Sequence, residues 1–392
     1  MIFELIDSKH ICNSCYVNGE IVSFSENIEF THTWDYSPLL KDKKYELASL
    51  YCGTKNIEDA CSNELRERYV YLKSKVKSYL KSFITAAVSL EENCFFDLTP
   101  IHFIHELFSV RAEIIRYIFD NYKRPENYDF LYDLNRMLIE ISDRKIKINV
   151  KDTILVKEIK NFSKFKNNVR YNMYGTITGR LASGDNCFPI LTMDKKFRSV
   201  IEPTNDFLLE LDFNAVEPRI FLALSGQKQP LQDLHEWNKD NIFIGHDRES
   251  AKKKFLAWFY DETGSILNTE TQLRKLESFY KKTPIKEKYY KDGVVRNYYG
   301  REILSDKEHA FNYIIQSTSA DMFLRQAVKV NNLLKDKKTF VKFLIHDSIV
   351  LDVSSEDKEL IKEISSTFKK TEFGTFRITK KIGKNYGSMK QT

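Results

Sequence analysis

The stretch Leu208-Leu-Glu-Leu-Asp212-Phe-Asn-Ala-Val-Glu217-Pro-Arg219 decides the fold. Its start is mostly apolar, which is typical of a buried strand, and Asp212 follows where that strand ends. A helix is predicted to begin near Val216, because Pro218 in a first helical turn loses no backbone hydrogen bond, and to end at Gly226. The sequence therefore predicts a carboxylate held at the end of a rigid strand.

A second isolated carboxylate follows an apolar run late in the chain. Residues 340–345 and 349–353 are apolar, and His346-Asp347-Ser348 between them predicts a tight β-hairpin. Two aspartates on rigid strands suit phosphoryl transfer, in which two Mg²⁺ ions about 3.5–4 Å apart clamp the attacking and leaving oxygens. Either aspartate alone is more often an ordinary strand-end or turn residue, so the inference depends on their neighbours.

Length and composition are those of a folded protein with several subdomains. The chain has 392 residues, 42% of them hydrophobic, and a net charge of only +6. Two or three packed subdomains are expected at this length. No apolar run approaches the roughly 20 residues of a membrane span. The six cysteines are scattered and no signal peptide is present, so we expect no disulfide and a cytoplasmic location, in a bacterial host if a phage encodes the chain.

Helical periodicity dominates the region before residue 145. Apolar positions recur at three- and four-residue steps over residues 65–83, which predicts an amphipathic helix with lysines on its outer side. Two more helices are expected at residues 101–121 and 128–143, separated by Pro125. Other predicted elements are β-like runs at 17–24 and 28–30, a helix at 356–369 and a strand at 376–382.

Five segments resemble motifs of the family A DNA polymerases, the group that includes bacterial repair polymerases and many phage replicases. Asp212-Phe-Asn-Ala-Val-Glu217-Pro-Arg219-Ile resembles the first metal motif, and His346-Asp347 resembles the second. Thr178-Gly-Arg180-Leu-Ala-Ser183 resembles the loop that reaches the primer terminus. Arg248-x3-Lys252-x7-Tyr260 resembles the fingers helix, and Gln316-Ser-Thr-Ser-Ala-Asp321 resembles the template-side motif. All five occur in family order, between about residues 170 and 387.

The resemblance implies an α+β right-hand polymerase fold with an antiparallel palm sheet, helical fingers and a helical thumb. The expected parts are an N-terminal segment of unclear role at 1–59, the thumb at 60–165, the first part of the palm at 166–232, the fingers at 233–316 and the second part of the palm at 317–392. Asp212 and Asp347, with the carbonyl of Phe213, would bind two Mg²⁺ ions, for which Mn²⁺ can substitute. The chain resembles a small, phage-like member without a proofreading exonuclease.

The fingers motif carries four residues at four-residue steps: Arg248, Lys252, Leu256 and Tyr260. On a helix such steps drift only about 40° each, so the four side chains form one oblique stripe. By resemblance Arg248 and Lys252 neutralise the triphosphate, and Lys252 is the candidate acid for the leaving group. Leu256 and Tyr260 would contact the nascent pair. His235 resembles a family histidine that also faces the triphosphate; an ordinary surface histidine is the alternative.

Glu217 lies five residues after Asp212, at the head of the predicted helix. By resemblance Glu217 packs by the sugar of the incoming nucleotide and, with Tyr260, leaves no room for a 2′-hydroxyl. This arrangement implies selection of deoxynucleotides. The alternative is an ordinary first-turn glutamate favoured by the helix dipole. Leu256 replaces an aromatic residue usual in the family, so altered discrimination against dideoxynucleotides is expected.

Contacts to the DNA minor groove are expected from two sides. By resemblance Arg180 enters the groove at the primer terminus, with Thr178 in the same loop. Asn312 and Gln316, four residues apart on a predicted helix, would face the template strand. Side-chain amides suit this task, because minor-groove acceptors occur at every base pair. His346 would touch the primer terminus; a merely structural hairpin histidine is the alternative.

The resemblance implies a template-directed DNA polymerase that extends a primer 3′-hydroxyl with deoxynucleoside triphosphates by two-metal phosphoryl transfer. Primer–template DNA and dNTPs are its expected partners, replication accessory proteins are left open, and a monomer without membrane association is expected. The runner-up is a single-subunit RNA polymerase or a primase-like nucleotidyltransferase, because His346-Asp347-Ser348 also occurs in phage-type RNA polymerases. Those enzymes lack a glutamate like Glu217 and the Thr-Gly-Arg loop. A third interpretation is a degenerate paralogue that binds primer–template as a scaffold.

Overall fold

The computed structural model describes residues 1–7, 14–23, 28–90, 92–149, 167–260 and 268–392. The chain divides into two compact units, Met1–Glu140 and Ile141–Thr392. Every residue predicted for the functional site belongs to the second unit. The finer division into five parts, which was predicted from the sequence, remains a prediction.

The first unit combines helices with short strands. Its helices are α1 (Ala48–Cys52), α2 (Asn63–Thr85), α3 (Ile101–Asn121) and α4 (Tyr128–Asp143), of which α4 runs past the boundary. Its strands are β1 (Phe3–Leu5), β2 (Ser14–Val17), β3 (Glu20–Ser23), β4 (His32–Thr33) and β5 (Glu46–Leu47). The three helices predicted here are confirmed. Ser62 starts α2 by accepting a hydrogen bond from the Leu65 backbone N–H, as N-cap serines do.

The β-like runs near the N-terminus were predicted less well. Residues 17–24 were expected to form one strand, but Asn18 and Gly19 take positive φ angles of 48° and 103° and turn the chain between β2 and β3. Such a two-residue turn with an Asn-Gly pair is the usual connection of a hairpin. Phe24 lies outside the described residues, and residues 28–30 form no strand.

The second unit contains helices α5 (Val216–Leu224), α6 (Leu234–Asn241), α7 (Arg248–Tyr260), α8 (Glu270–Tyr280), α9 (Lys282–Tyr289), α10 (Ala310–Leu333) and α11 (Leu360–Lys369). Its longer strands are β10 (Phe207–Phe213), β14 (Phe340–Ile345), β15 (Ser348–Val353) and β18 (Ile378–Gly383). Its shorter strands are β6 (Lys147–Ile148), β7 (Tyr171–Asn172), β8 (Ala182–Ser183), β9 (Ile201–Glu202), β11 (Tyr290–Lys291), β12 (Val294–Arg296), β13 (Glu302–Leu304), β16 (Lys370–Thr371), β17 (Gly374–Thr375) and β19 (Lys390–Gln391).

The main sheet has the strand order β14-β15-β10-β18-β19, and every neighbouring pair is antiparallel. The strand β10 is central and buried along most of its length. One of its faces is wholly apolar, whereas the other carries Glu210 and Asp212. Phe213 at its end stacks on Phe368 of α11, with 4.3 Å between ring centroids. The predicted α+β fold with an antiparallel sheet is confirmed.

The helices α5, α7, α8 and α10 share one aromatic core. Buried rings from these helices pack together in it: Phe221, Phe255, Phe259, Tyr280 and Phe311. Aromatic side chains bury large areas and pair edge to face or offset, so a cluster of this kind holds several helices in fixed positions. The helix α7, which carries the predicted nucleotide residues, is therefore anchored by its apolar side.

Each helix within the described ranges is too short or too polar to cross a membrane. The expectation of no disulfide is wrong, because Cys94 is disulfide-bonded. Spacing along the chain does not tell which cysteines folding brings within bonding distance. Cys15, Cys52, Cys61 and Cys187 are free thiols.

Candidate active site

The two predicted metal aspartates lie at the same edge of the sheet. In the pairing of β10 with β15, Asp212 stands opposite Ser348, so Asp347 in the β14–β15 turn lies beside the end of β10. The Phe213 backbone N–H donates to the Asp347 carbonyl oxygen over 3.4 Å and ties the strand to the turn. His346 adopts the positive φ of 51° that this short turn requires and is exposed.

The site is electrostatically strained by its own carboxylates. Burial, followed by repulsion from Asp347 and Glu210, raises the pKa of Asp212 to about 7, and the nearby Lys381 ammonium opposes this rise. Burial also raises the pKa of Asp347. Neighbouring carboxylates that share a buried site cannot both ionise freely unless a cation compensates them. Their environment therefore favours bound positive charge.

Glu210 lies two residues before Asp212 on the same face of β10, and its carboxylate is paired with a cation. It accepts hydrogen bonds from the Lys381 ammonium over 2.7 Å and from the Tyr386 hydroxyl over 3.1 Å. No group of three or more His, Cys, Asp and Glu side chains that could hold a metal occurs within the described part of the chain. The oxygens that fit a hard divalent cation here are the carboxylates of Asp212 and Asp347 and the carbonyl of Phe213.

The raised pKa of Asp212 predicts an unusual pH dependence of stability in EDTA. The folded protein keeps a proton on Asp212 that the unfolded chain loses near pH 3.9, the ordinary value. The unfolding free energy contributed by this group therefore falls, by on the order of 1–3 kcal/mol, as the pH rises from about 4 to about 7. Urea unfolding of Asp212→Asn should show a shallower fall and greater stability than the wild type near pH 8. An Asp212→Asn variant less stable than the wild type at that pH would contradict the prediction.

The connection from the metal strand to the next helix is held by a residue that sequence reasoning did not single out. Ala215 adopts a φ of 52°, a left-handed conformation that is strained for a residue with a side chain. Arg219, which is 2% exposed, spans this turn. Its guanidinium donates to the backbone carbonyls of Asn214, Pro230 and Gln232 over 2.8–2.9 Å. Arg219 thus fixes the spacing between the strand end and the start of α5.

Glu217 is held from two sides. It is 4% exposed at the start of α5; one carboxylate oxygen accepts from the Arg180 guanidinium and the other from the Tyr260 hydroxyl. Burial raises the pKa of Glu217, while Arg180 and the Tyr260 hydrogen bond oppose the rise. The structure therefore brings together three predicted site residues from a loop, from α5 and from α7.

The loop that carries Arg180 packs against the ion pair of Arg301 with the buried Asp321. Gly179 adopts a φ of 79°, and a Cβ there would come within 2.6 Å of the Arg301 guanidinium carbon. That guanidinium donates to Asp321, which is 4% exposed, over 2.6 Å. Asp321 also accepts from the Asn297 amide over 2.7 Å. Thr178 is buried in the same loop. Asp321 therefore supports the Thr-Gly-Arg loop through Arg301, a residue that the sequence patterns did not point to.

The predicted triphosphate residue Arg248 is paired with acidic side chains. Its guanidinium lies 3.2 Å from Asp233 and 3.5 Å from Glu236. Asp233 caps α6 by accepting from the Glu236 backbone N–H over 3.0 Å and also accepts from the Asn214 amide over 2.8 Å. Burial opposes ionisation of Asp233, but the hydrogen bonds from Asn214, Glu236 and Arg248 together hold its pKa well below the usual range. Asp233 was not predicted as a partner of Arg248, because an aspartate just before a helix is ordinarily interpreted as an N-cap residue.

His235 is not a surface histidine, which was the alternative considered from the sequence. It is 7% exposed, burial lowers its pKa to about 4, and its Nδ1 is buried without a hydrogen-bond partner among the described residues. Lys252 and Arg248 also lower this pKa, so both cations lie near the ring. Lys252 and Leu256 are half-buried on α7. A neutral imidazole therefore stands beside the two predicted phosphate-binding cations.

The two predicted template residues differ in their surroundings. The Asn312 side-chain amide donates to the Tyr260 carbonyl over 3.0 Å, which caps the end of α7, and its Oδ1 is buried without a partner among the described residues. Gln316, one turn further along α10, is half-buried. Asn312 is therefore tied to the helix that carries Tyr260, a contact that its sequence position did not suggest.

No family model matches the sequence. "DNA polymerase I, thermostable" of Thermus aquaticus is 26% identical over 242 residues, which cover 50% of this chain and 29% of the relative. DNA polymerase I of Caldicellulosiruptor bescii is 24% identical over 239 residues, 48% of this chain and 28% of the relative. The chain thus matches less than a third of the length of these relatives.

A solved structure, the POL domain of Pol1 from M. smegmatis in complex with DNA primer-template and dNTP, matches with a TM-score of 0.47 and 15% identity over 75% of this chain and 55% of that one. The site combines carboxylates at the edge of the sheet with cations on α7. The sequence matches identify the chain as a relative of the family A DNA polymerases, and the resemblance inferred from the five motifs is confirmed.

Proposed function

We propose that this chain is a template-directed DNA polymerase that extends a primer 3′-hydroxyl with deoxynucleoside triphosphates and lacks a proofreading exonuclease. The observation that carries the proposal is the position of Asp212 and Asp347 at one edge of an antiparallel sheet, in the unit that also holds the cations of α7. The relatives named DNA polymerase I support it. A phage origin, a monomeric state, the bacterial cytoplasm and accessory proteins belong to this proposal.

Asp212, Asp347 and the Phe213 carbonyl would hold two Mg²⁺ ions, for which Mn²⁺ can substitute. When bound, the metal would lower the pKa of the primer 3′-hydroxyl and neutralise charge on the triphosphate. The two aspartates supply the negative charge that attracts the ions. The Lys381 ammonium, which pairs with Glu210, partly offsets the charge that this third carboxylate adds to the site. Arg219 keeps the strand end and α5 in register while substrates bind.

Metal binding can be measured without catalysis. In calorimetric titrations of the protein alone, Mg²⁺ is expected to bind the wild type and to lose most of its affinity in Asp347→Asn, because one carboxylate ligand is removed. Asp206→Asn is a matched control, since Asp206 is exposed at the opposite end of β10. Equal Mg²⁺ affinity in the wild type and Asp347→Asn would remove Asp347 from the metal site.

The cations of α7 would bind the triphosphate, with neutral His235 beside them. Arg248→Ala is expected to raise the KM for dNTPs by ~10–100-fold, because a charge-assisted contact to phosphate is lost. Lys252→Ala is expected to lower kcat by ~10²-fold or more, since it removes the candidate acid for the leaving group. Lys253→Ala is the control, because Lys253 is exposed on the same helix and outside the stripe. Steady-state primer extension with varied dNTP provides both constants, and unchanged constants in Arg248→Ala would contradict its role.

Primer extension with Mg²⁺ and dNTPs tests the proposed function directly. Extension of a primed DNA template is expected with dNTPs, little is expected with rNTPs, and none without a primer. Efficient rNTP use or synthesis without a primer would favour the RNA polymerase or primase alternative, and binding of primer–template without extension would favour a scaffold. A labelled primer with a mismatched 3′ end should not be shortened when dNTPs are withheld, because no exonuclease is expected.

A further inference from the structure

Arg180 and Glu217 form an ion pair although each is assigned to a different substrate. By resemblance Arg180 would enter the minor groove at the primer terminus, whereas Glu217 would lie by the sugar of the incoming nucleotide. In the structure the Arg180 guanidinium donates to one oxygen of Glu217. Its second oxygen accepts from Tyr260. Both carboxylate oxygens of the proposed sugar gate are therefore engaged by side chains of the protein itself.

The two partners of this ion pair differ in their freedom to move. The Glu217 side chain is 5% exposed and lies at the head of α5, whose start is fixed by Arg219. The Arg180 side chain is 47% exposed and extends from a loop. An exposed, flexible side chain can change rotamer within nanoseconds, whereas a buried one is confined by its neighbours. Arg180 is therefore the partner that can leave.

We propose that Arg180 couples the primer terminus to the sugar gate: it holds Glu217 when no primer is bound and leaves Glu217 when a correctly paired terminus offers a minor-groove acceptor. This inference rests on the proposed polymerase function and goes beyond it, because it assigns Arg180 a second partner inside the protein. In the free protein Glu217 and the primer compete for one guanidinium. The primer must break the ion pair before it gains its own contact with Arg180.

The coupling also links the pairing state of the primer terminus to the helix that would bind the incoming nucleotide. A mispaired terminus displaces the minor-groove acceptors from the positions they hold in a correct pair. Arg180 then returns to Glu217, whose oxygens are again both engaged. Glu217 is also linked to Tyr260 on α7, so the state of the terminus is transmitted to the helix that binds the triphosphate. Arg180 is thus a positioning residue for the gate as well as a contact to DNA.

Primer–template affinity measured without nucleotide tests the competition. In fluorescence anisotropy with Mg²⁺ and no dNTP, Glu217→Gln is expected to bind primer–template about 3–10-fold more tightly than the wild type, because Arg180 is no longer held by a charge. Arg180→Ala is expected to bind more weakly than the wild type. The double variant should bind like Arg180→Ala alone, since the effect of Glu217→Gln requires Arg180. Unchanged or weaker binding by Glu217→Gln would overturn the proposal.

Two controls separate this effect from general electrostatics. Glu302→Gln removes one negative charge from a different ion pair of the same unit, the exposed pair of Glu302 with Arg296, and is expected to change the affinity much less. A primer that ends in a 3-deazapurine lacks the minor-groove nitrogen acceptor, so the gain in Glu217→Gln should disappear with it. An equal gain with the ordinary and the 3-deaza terminus would show a charge effect unrelated to the Arg180 contact and would overturn the proposal.

The outcomes also separate this inference from the proposed function. A wild type that binds no primer–template would refute the function itself, whereas normal binding without an effect of Glu217→Gln would refute only the coupling. Thermal unfolding provides a second readout, because Arg180→Ala leaves Glu217 buried without its cation. Arg180→Ala is expected to lower the Tm more in the wild-type background than in the Glu217→Gln background. Equal losses in the two backgrounds would contradict the ion pair in solution.

Discussion

Asp212→Asn is expected to lower the rate of primer extension by ~10³-fold or more, because metal-ion stabilisation of the transition state contributes several kcal/mol. Asparagine keeps the size of the side chain but removes the charge that attracts the cation. The fold should survive, since the substitution also relieves the repulsion between Asp212 and Asp347 that raises the pKa of Asp212 to about 7. Single-turnover extension under saturating dNTP and Mg²⁺ measures the effect.

The Asp206→Asn variant is the control that tests whether the loss of activity is specific to the proposed metal site. Asp206 lies next to the opposite end of β10, is exposed and accepts a hydrogen bond from the Ser355 backbone N–H over 2.6 Å. Its replacement should leave the extension rate within about twofold of the wild type. Anisotropy should also show that Asp212→Asn still binds primer–template. Substantial extension by a well-folded Asp212→Asn variant would refute the metal role and, with it, the proposed mechanism.

Glu217→Ala is expected to raise the use of ribonucleotides relative to deoxynucleotides by ~10²–10³-fold, because a buried side chain that excludes a hydroxyl can discriminate by several kcal/mol. Glu217 is 4% exposed, lies at the head of α5 and accepts a hydrogen bond from Tyr260, so it cannot move aside to admit a 2′-hydroxyl. Alanine removes the obstacle together with this hydrogen bond. The ratio of kcat/KM for dNTP and rNTP on one primer–template measures the change.

Conservative variants distinguish an obstacle from a charge effect. Glu217→Gln keeps the size of the side chain, so most of the discrimination against ribonucleotides should remain. Tyr260→Phe keeps the ring but removes the hydroxyl that donates to Glu217, and an intermediate loss of discrimination is expected. If Glu217→Ala and Glu217→Gln admitted ribonucleotides equally, the charge of Glu217 and not its volume would be responsible. Unchanged selectivity in Glu217→Ala would refute the gate.

Local sequence patterns predicted the regular elements well. The helices α3 and α4 have the predicted bounds, because apolar spacing and flanking proline act over neighbouring residues. The N-terminal hairpin was missed because Asn18-Gly19 interrupts an apolar run without changing its composition. The 24-residue helix α10 is buried on most sides, so its period carries little amphipathic signal, and it was located through its motif.

By itself, the sequence determined the two strand-end aspartates, the cation stripe of α7 and the order of five motifs. Each of these features depends on residues that are close together in the chain, so hydrophobic periodicity and the ends of apolar runs are enough to predict it. Only the tertiary structure decided which charges meet. Arg180 pairs with Glu217 across 37 positions, Arg248 with Asp233 across 15, and Arg301 with Asp321 across 20. The strength of an ion pair depends on the final distance and burial of its groups, and no local pattern records either.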